Sequence, residues 1–237
     1  MSSERGYVPP EARDERIGPA VEFTNDEDLV SFWRAFYKND GWNFATPEAE
    51  ELAAKKAAQT PAKNPSRFFG IRDGDAIIAT GKLEIQIKDG EKHGYLGLLT
   101  VQEKYRGKNL AKQVTGIREK AAREAGCTYL DTSVRANNPI ALVTKFHEGY
   151  SIGRLEFYDE NDETKGWFDL SKPIDGETKY DAKAGTLGEL REVRLSDLPS
   201  IKLLLESGWV GIDAKNLGDP KESNSDQWEL ILEHAAP

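Results

Sequence analysis

The sequence predicts a mixed α/β (α+β) fold, a sheet flanked by helices, followed by a shorter C-terminal extension. Three observations carry this expectation. Strand-like and helix-like segments alternate as strand, two helices, three strands, helix, strand, helix and two strands. An apolar strand pattern, Tyr95-Leu-Gly-Leu-Leu-Thr-Val101, runs through a glycine-bearing cationic loop into an amphipathic helix. Near the C-terminus a strand, a capped helix and a Gly-Trp pair recur in the order already met near the start.

The elements follow in order. Residues 1–17 are charged and proline-bearing, the composition of a disordered terminus. Ala20–Thr24 reads as a strand. Asn25 or Asp26 can cap a helix that carries Leu29, Val30, Phe32, Trp33 and Phe36 on one side, and Gly41-Trp42 breaks it. Pro47–Gln59 is rich in Ala and Glu and reads as a second helix. Ser66–Ile71 and Asp75–Lys88 form a hairpin around Asp73-Gly74, and Asp89-Gly90 turns the chain toward the strand at Tyr95.

The helix from Asn109 to Ala125 places Leu110, Val114, Ile117 and Ala121 on one face and stops at Gly126. Cys127–Val134 reads as a strand. Asn138 then serves as N-cap, Pro139 as first helical residue and Gly149 as stop for the next helix. Ile152–Tyr158 and Thr164–Leu170 close this part as a hairpin. Residues 173–185 read as a linker. Leu190–Leu195 is a strand, Ser196 can cap a helix over Asp197–Glu206, and Trp228–Leu232 is a last strand. Residues 186–237 thus read as a truncated half-repeat of the first domain, with a chance likeness of two short βα units as the alternative. Fifty residues bury little core alone, so the tail is expected to pack on the main domain or on a second copy of the chain in a homodimer.

Composition bounds the function. The chain has 237 residues, 38% hydrophobic and 31% charged, which suits a water-soluble globular protein. No apolar run is long enough to span a membrane and no secretory signal is visible, so the cytoplasm is the expected location. The formal charge of -9 argues against nucleic acid as a partner. It favours a cationic acceptor only weakly, since acidity also serves solubility alone. One cysteine and three histidines leave no internal disulfide and no metal-ligand cluster.

The loop Arg106-Gly-Lys-Asn-Leu-Ala111 carries the chemistry. Exposed N–H groups and the positive dipole end at a helix start favour an anion such as a pyrophosphate. Arg106 and Lys108 add charge, and Gly107 and Ala111 let a ligand approach the backbone. A P-loop would need Lys-Ser/Thr where Leu110-Ala111 stands, and a dinucleotide fold would need further spaced glycines and a ribose-binding acid. An ordinary strand–loop–helix turn with surface cations is the plain alternative.

The segment resembles the acyl-CoA loop of the GNAT family, whose signature reads Arg/Gln-x-x-Gly-x-Gly/Ala. Asn109 stands where the first signature glycine is usual. Asn138, Ala141, Gly149 and Tyr150 match the family's Asn-x-x-Ala and Gly-Phe/Tyr positions, while the family's tyrosine falls on Lys145. The resemblance covers residues 18–172 and implies a GNAT fold with a central mixed, mostly antiparallel sheet. It further implies an acyl-CoA-dependent N-acyltransferase, most simply an N-acetyltransferase using acetyl-CoA on a small-molecule or peptide amine.

By the same resemblance, backbone groups of Leu99 and Val101 bind pantetheine, Arg106, Gly107, Lys108, Asn109, Leu110 and Ala111 hold the pyrophosphate, and Asn138 contacts the CoA arm. Trp33 and Trp42 line the acceptor site unless they are core aromatics. Glu84, Tyr95 and His147 are candidate bases, each with a structural alternative. Lys145 is a candidate acid for the leaving thiolate or a partner of a CoA phosphate. Cys127 reads as a buried apolar residue, since direct attack needs no nucleophile. O-acyl transfer and a non-catalytic CoA-binding or interaction module are the competing functions.

Overall fold

The computed structural model describes residues 17–158, 165–175, 189–218 and 225–234. Residues 1–16 and most of the expected linker lie outside the described residues. The chain forms two compact units. One comprises the chain up to Leu83 together with Leu98–Lys120, and the other Glu84–Gly97 with the chain from Ala121 onward.

The first unit contains β1 (Val21–Phe23), α1 (Asp26–Asn39), α2 (Pro47–Gln59), β2 (Ser66–Asp73), most of β3 (Ala76–Lys88), the end of β4 (Glu91–Val101) and most of α3 (Leu110–Glu124). Caps set the helix starts. Asn25 Oδ1 accepts the Asp28 N–H at 2.8 Å, ahead of three acidic residues that suit the positive end of α1. Thr46 accepts the Ala49 N–H at 3.2 Å, and Pro47 fits the first turn of α2. β1 pairs antiparallel with β2, Val21 opposite Gly70. Phe23, Phe32 and Ile77 form a core that Leu29, Trp33, Phe36, Phe68 and Leu98 extend.

α3 approaches β3 closely because Gly81 has no side chain. A Cβ there would lie 2.6 Å from Val114 Cγ1 and 2.9 Å from Arg118 Nε. Arg118 is 1% exposed, and its guanidinium donates to the carbonyls of Val114 and Lys82 and to Thr115 Oγ1, each at 3.2 Å. A buried cation is tolerated when its donors are satisfied in this way.

The second unit carries the rest of the sheet, in the hydrogen-bonded order β4-β5-β7-β6-β9-β10-β8. β4 runs parallel to β5 (Tyr129–Arg135), with His93, Gly94 and Tyr95 opposite Tyr129, Leu130 and Asp131. That register ends at Tyr95 while β5 continues to Arg135. β5 pairs antiparallel with β7 (Gly166–Pro173), and β7 with β6 (Ser151–Phe157). β6 meets β9 (Trp209–Asn216) at Ile152–Gly211, where a Cβ on Gly211 would sit 3.0 Å from Ile152 Cβ. β9 pairs with β10 (Trp228–His234), and β10 with β8 (Glu189–Arg194). One parallel pair among antiparallel ones gives the mixed, mostly antiparallel sheet that the sequence implied. α4 (Pro139–His147) packs on β9, and α5 (Leu198–Glu206) on β6 and β9.

Several boundaries differ from expectation, most by one or two residues, and four differences have a local reason. β4 begins at Glu91, four residues early, because Asp89 (φ 51°) and Gly90 (φ 84°) make a tight turn straight into it. β5 begins at Tyr129, since Cys127 N–H bonds back to the Ala122 carbonyl at 3.0 Å. Asp197 rather than Ser196 caps α5, its carboxylate accepting the Ser200 N–H at 3.2 Å. β9 follows Gly208-Trp209 directly. In the extension β8 pairs with β10, whereas in the first unit β1 pairs with the next strand, β2.

Replacing Gly81 with Ala is expected to lower the unfolding free energy by about 1 to 3 kcal/mol through overpacking against α3. Urea denaturation measures this, and Gly116→Ala inside α3, where nothing lies within 4 Å of the added Cβ, is the clash-free comparison, expected to gain about 0.5 to 1 kcal/mol.

Candidate active site

The loop after β4 is built from backbone geometry. Within β4, Leu98 holds a left-handed φ of 54°, a strained conformation for a branched residue, and Thr80 Oγ1 donates to its carbonyl at 3.1 Å. Leu99 and Val101 follow, both half-buried. Gln102 pins the strand end to β3. Its N–H donates to the Ile78 carbonyl at 2.9 Å and its side-chain amide to the Ile77 carbonyl at 3.1 Å.

A single 3-10 turn, Glu103–Tyr105, then brings in Tyr105, 7% exposed, whose hydroxyl donates to Asp73. Arg106 Nε donates to the Val101 carbonyl at 3.3 Å, which holds the guanidinium stem along the strand end. Lys104 and Lys108 place their ammonium groups 4.6 and 5.7 Å from the Tyr105 ring centre. Gly107 (φ 79°) and Asn109 (φ 60°) are both left-handed. Asn109 therefore meets the conformational demand of the position where the family signature has glycine, and its carbonyl accepts the first α3 bond, from Gln113 N–H at 3.1 Å. Leu110 is buried and Ala111 exposed. No acidic residue occupies the first turn of α3, so the positive end of its dipole meets no carboxylate from its own turn.

On the second unit, Asn138 Oδ1 caps α4 by accepting the Ala141 N–H at 3.2 Å. That leaves its amide N–H groups as the donors it can offer a ligand. Lys145 is 13% exposed and ion-paired to Glu148 at 2.6 Å, with its Nζ 5.2 Å from the Tyr150 ring centre. It is therefore an internally paired cation rather than an open one. His147 is exposed on α4, and Cys127 is buried, with burial pushing its thiol pKa up, as suits a packing residue.

Tyr95 heads a network that the sequence did not disclose. Its hydroxyl donates to Ser133 Oγ at 3.2 Å, and Ser133 Oγ donates to Asp169 Oδ1 at 2.7 Å. Burial pushes the Tyr95 phenol above its ordinary range, the Ser133 hydrogen bond opposes this, and the Asp169 and Glu84 charges reinforce it. A phenol held protonated can serve as a proton donor. Glu84, half-buried on β3, accepts from Gln86 Nε2 at 3.0 Å.

Of the two tryptophans, Trp33 packs edge-on against Phe32, Phe36 and Phe68. Trp42 is 56% exposed, hydrogen-bonds Asp40 at 3.0 Å and stacks near Phe44. It also lines a first-unit cavity of about 540 Å³ with Arg34, Glu50 and Asp75. Ser133, Asp169, Gln102 and Tyr105 are candidate site residues that the sequence did not single out. For the first two the signal was period-two alternation on β5 and β7, which becomes readable only once their register is known.

The left-handed backbone at residue 109 makes a measurable demand. Asn109→Gly should leave stability unchanged or slightly raised, whereas Asn109→Val should cost about 1 to 2 kcal/mol. Thermal and urea unfolding of both variants check this.

The comparisons with known proteins follow the same lines. The model of the acetyltransferase (GNAT) family matches residues 27–149. A search of curated proteins finds no match. Among solved structures, a chain of the NatC complex bound to Gag peptide and CoA is 18% identical, with a TM-score of 0.50 over 67% of this chain and 100% of that one. A GNAT-family acetyltransferase from Desulfovibrio desulfuricans is 13% identical, with a TM-score of 0.51 over 67% and 99%. At these identities the structures speak for the fold alone. The family model spans more than half the chain and includes the loop with its left-handed Gly107 and Asn109, so this chain belongs to the acetyltransferase (GNAT) family and is an acyltransferase.

Proposed function

We propose that the protein moves an acetyl group from acetyl-CoA to the nitrogen of a small-molecule or peptide amine, by direct attack and without an acyl-enzyme. One observation carries this reading. Between the strand end and the helix, Leu98, Gly107 and Asn109 hold left-handed conformations, the loop leads straight into a helix N-terminus that suits an anion, and no acid sits in the first turn of that helix. In this reading Arg106, Gly107, Lys108, Asn109, Leu110 and Ala111 hold the pyrophosphate. Leu99 and Val101 offer backbone groups to pantetheine and the thioester carbonyl, and Asn138 offers its amide to the CoA arm. Trp42 belongs to the acceptor side, and the cytoplasm is the location we assign. Among the described residues no helix is long and apolar enough to cross a membrane.

The thioester supplies an activated acyl carbon. The amine nitrogen forms a bond to that carbon, the C–S bond breaks, the nitrogen loses one proton and the departing sulfur gains one. Positioning and a donor for the developing oxyanion supply most of the rate. We assign Tyr95 as the acid for the sulfur, because its phenol is kept protonated and carries the Ser133–Asp169 network behind it. Glu84 is the candidate base for the nitrogen. Lys145, paired with Glu148, is assigned a structural role in place of the acid. The same pairing favours the competing reading, a non-catalytic CoA-binding module, and turnover separates the two.

Calorimetry with acetyl-CoA tests the loop. Wild type should bind, and Arg106→Ala should bind about tenfold or more weakly with an unchanged melting temperature. Equal affinity in the two would remove the loop assignment. Thiol release with an amine panel tests turnover. Tyr95→Phe should lower kcat by about 100-fold while leaving acetyl-CoA affinity intact. Because the raised phenol pKa keeps the acid form populated through its ordinary value, the wild-type rate should lose this contribution only above about pH 10.

A further inference from the structure

A second cavity, of about 290 Å³, lies wholly within the second unit and contains none of the loop residues. Its walls come from the starts of β4, β5 and β6, the end of β7, the C-terminal turn of α4 and, from the extension, Ile212 on β9. The polar groups in this wall are held in place by groups outside it. Asp131, 5% exposed, accepts from His93 Nδ1 at 2.9 Å, from Lys88 Nζ at 2.5 Å and from Ser171 Oγ at 2.8 Å. With Nδ1 facing that carboxylate, the tautomer of His93 is fixed and Nε2 is its second functional atom.

The His93 ring stacks on Tyr129, centroids 4.9 Å apart and planes 16° apart, which sets its plane as well. Lys172 Nζ donates to the Glu148 carbonyl at 3.0 Å and lies 4.6 Å from the Tyr150 ring centre, so a cation stands at a defined point in the same wall. Around these groups the lining is aromatic and apolar, from Tyr129, Phe146, Tyr150 and Ile212.

A positioned ammonium against a flat apolar wall, backed by the fixed His93–Tyr129 stack, matches one ligand chemistry. We propose that this cavity is a binding site for a small organic carboxylate with a planar apolar body. The carboxylate meets Lys172, and the body packs between Tyr129 and Ile212. A cationic ligand is disfavoured by Lys172. An inorganic anion would leave the apolar wall uncovered. The volume sits at the small end of ligand pockets, which sets the scale at a single ring. The extension acquires a purpose in this arrangement, since Ile212 closes a wall that the family domain alone would leave open. The site does not depend on the acyl-transfer reading.

Benzoate is the probe, with benzyl alcohol and inorganic phosphate as controls, in calorimetry on the full chain. Benzoate should bind, and benzyl alcohol and phosphate should bind at least about tenfold more weakly. Lys172→Met should abolish the preference for benzoate over benzyl alcohol, and Ile212→Trp, which fills the cavity, should abolish both. Acetyl-CoA affinity and melting temperature, measured on the same variants, report whether they fold. Failure of benzoate to bind wild type, or equal binding of benzoate to wild type and a folded Ile212→Trp, overturns the proposal.

Discussion

One buried carboxylate fixes the registration of four strands. Asp131 on β5 takes hydrogen bonds from Lys88 on β3, His93 on β4 and Ser171 on β7. A carboxylate this far from water is tolerated only while it is paired, and removing its partners would strand a charge. Slipping any of these strands by one residue would turn its donor to the opposite face. The neighbouring rung inherits the arrangement. Tyr95 lies two residues beyond His93, Ser133 two beyond Asp131, and Asp169 two before Ser171. The strand period of two therefore puts Tyr95, Ser133 and Asp169 on the same face in reach of one another. The polar network that supports the proposed acid rests on the ionic one beside it.

The first unit solves a different problem, holding left-handed backbone in the loop that we propose binds an anion. Three left-handed residues, Leu98, Gly107 and Asn109, occur within twelve positions. Only glycine adopts that conformation without cost, and the two other residues are compensated locally. Leu98 has its carbonyl held by Thr80, and Asn109 is a residue type that tolerates the left-handed region and carries the first helical bond. Arg106 bonding back to Val101 ties the loop to the strand, so the cation reaches the loop with little freedom left to lose.

Legibility in the sequence followed the range of the interaction. α1, α2 and α4 could be read to within a residue because their caps and first-turn residues are neighbours in the chain: Asn25 before the acidic turn, Pro47, and Asn138-Pro139. The loop was legible for the same reason. β9 was missed because Gly211, Asp213 and Asn216 interrupt its apolar pattern. Its strand character comes from pairing with β10 and from the close Ile152–Gly211 approach, both tertiary. Ser133 and Asp169 were invisible as a pair because nothing local ties residues so distant in the chain. Lys145 could be located but its commitment to Glu148 could not, since either a CoA phosphate or a neighbouring acid would satisfy a lysine there.

That commitment has a consequence for proton flow in the proposed reaction. The Lys145 ammonium is committed to the Glu148 carboxylate, so its place in the site is that of a paired cation. A phenol is better suited. Ser133 is both acceptor and donor, so once Tyr95 releases its proton the Ser133 hydroxyl can rotate to donate to the phenolate. Burial first, and the Asp169 charge after it, then work against that phenolate and favour its return to the neutral form, the influences that raise the resting pKa. A donor that is reluctant to remain ionised is a donor that resets, and in the proposed reaction that donor stands on the sheet instead of on the helix where the family signature has tyrosine.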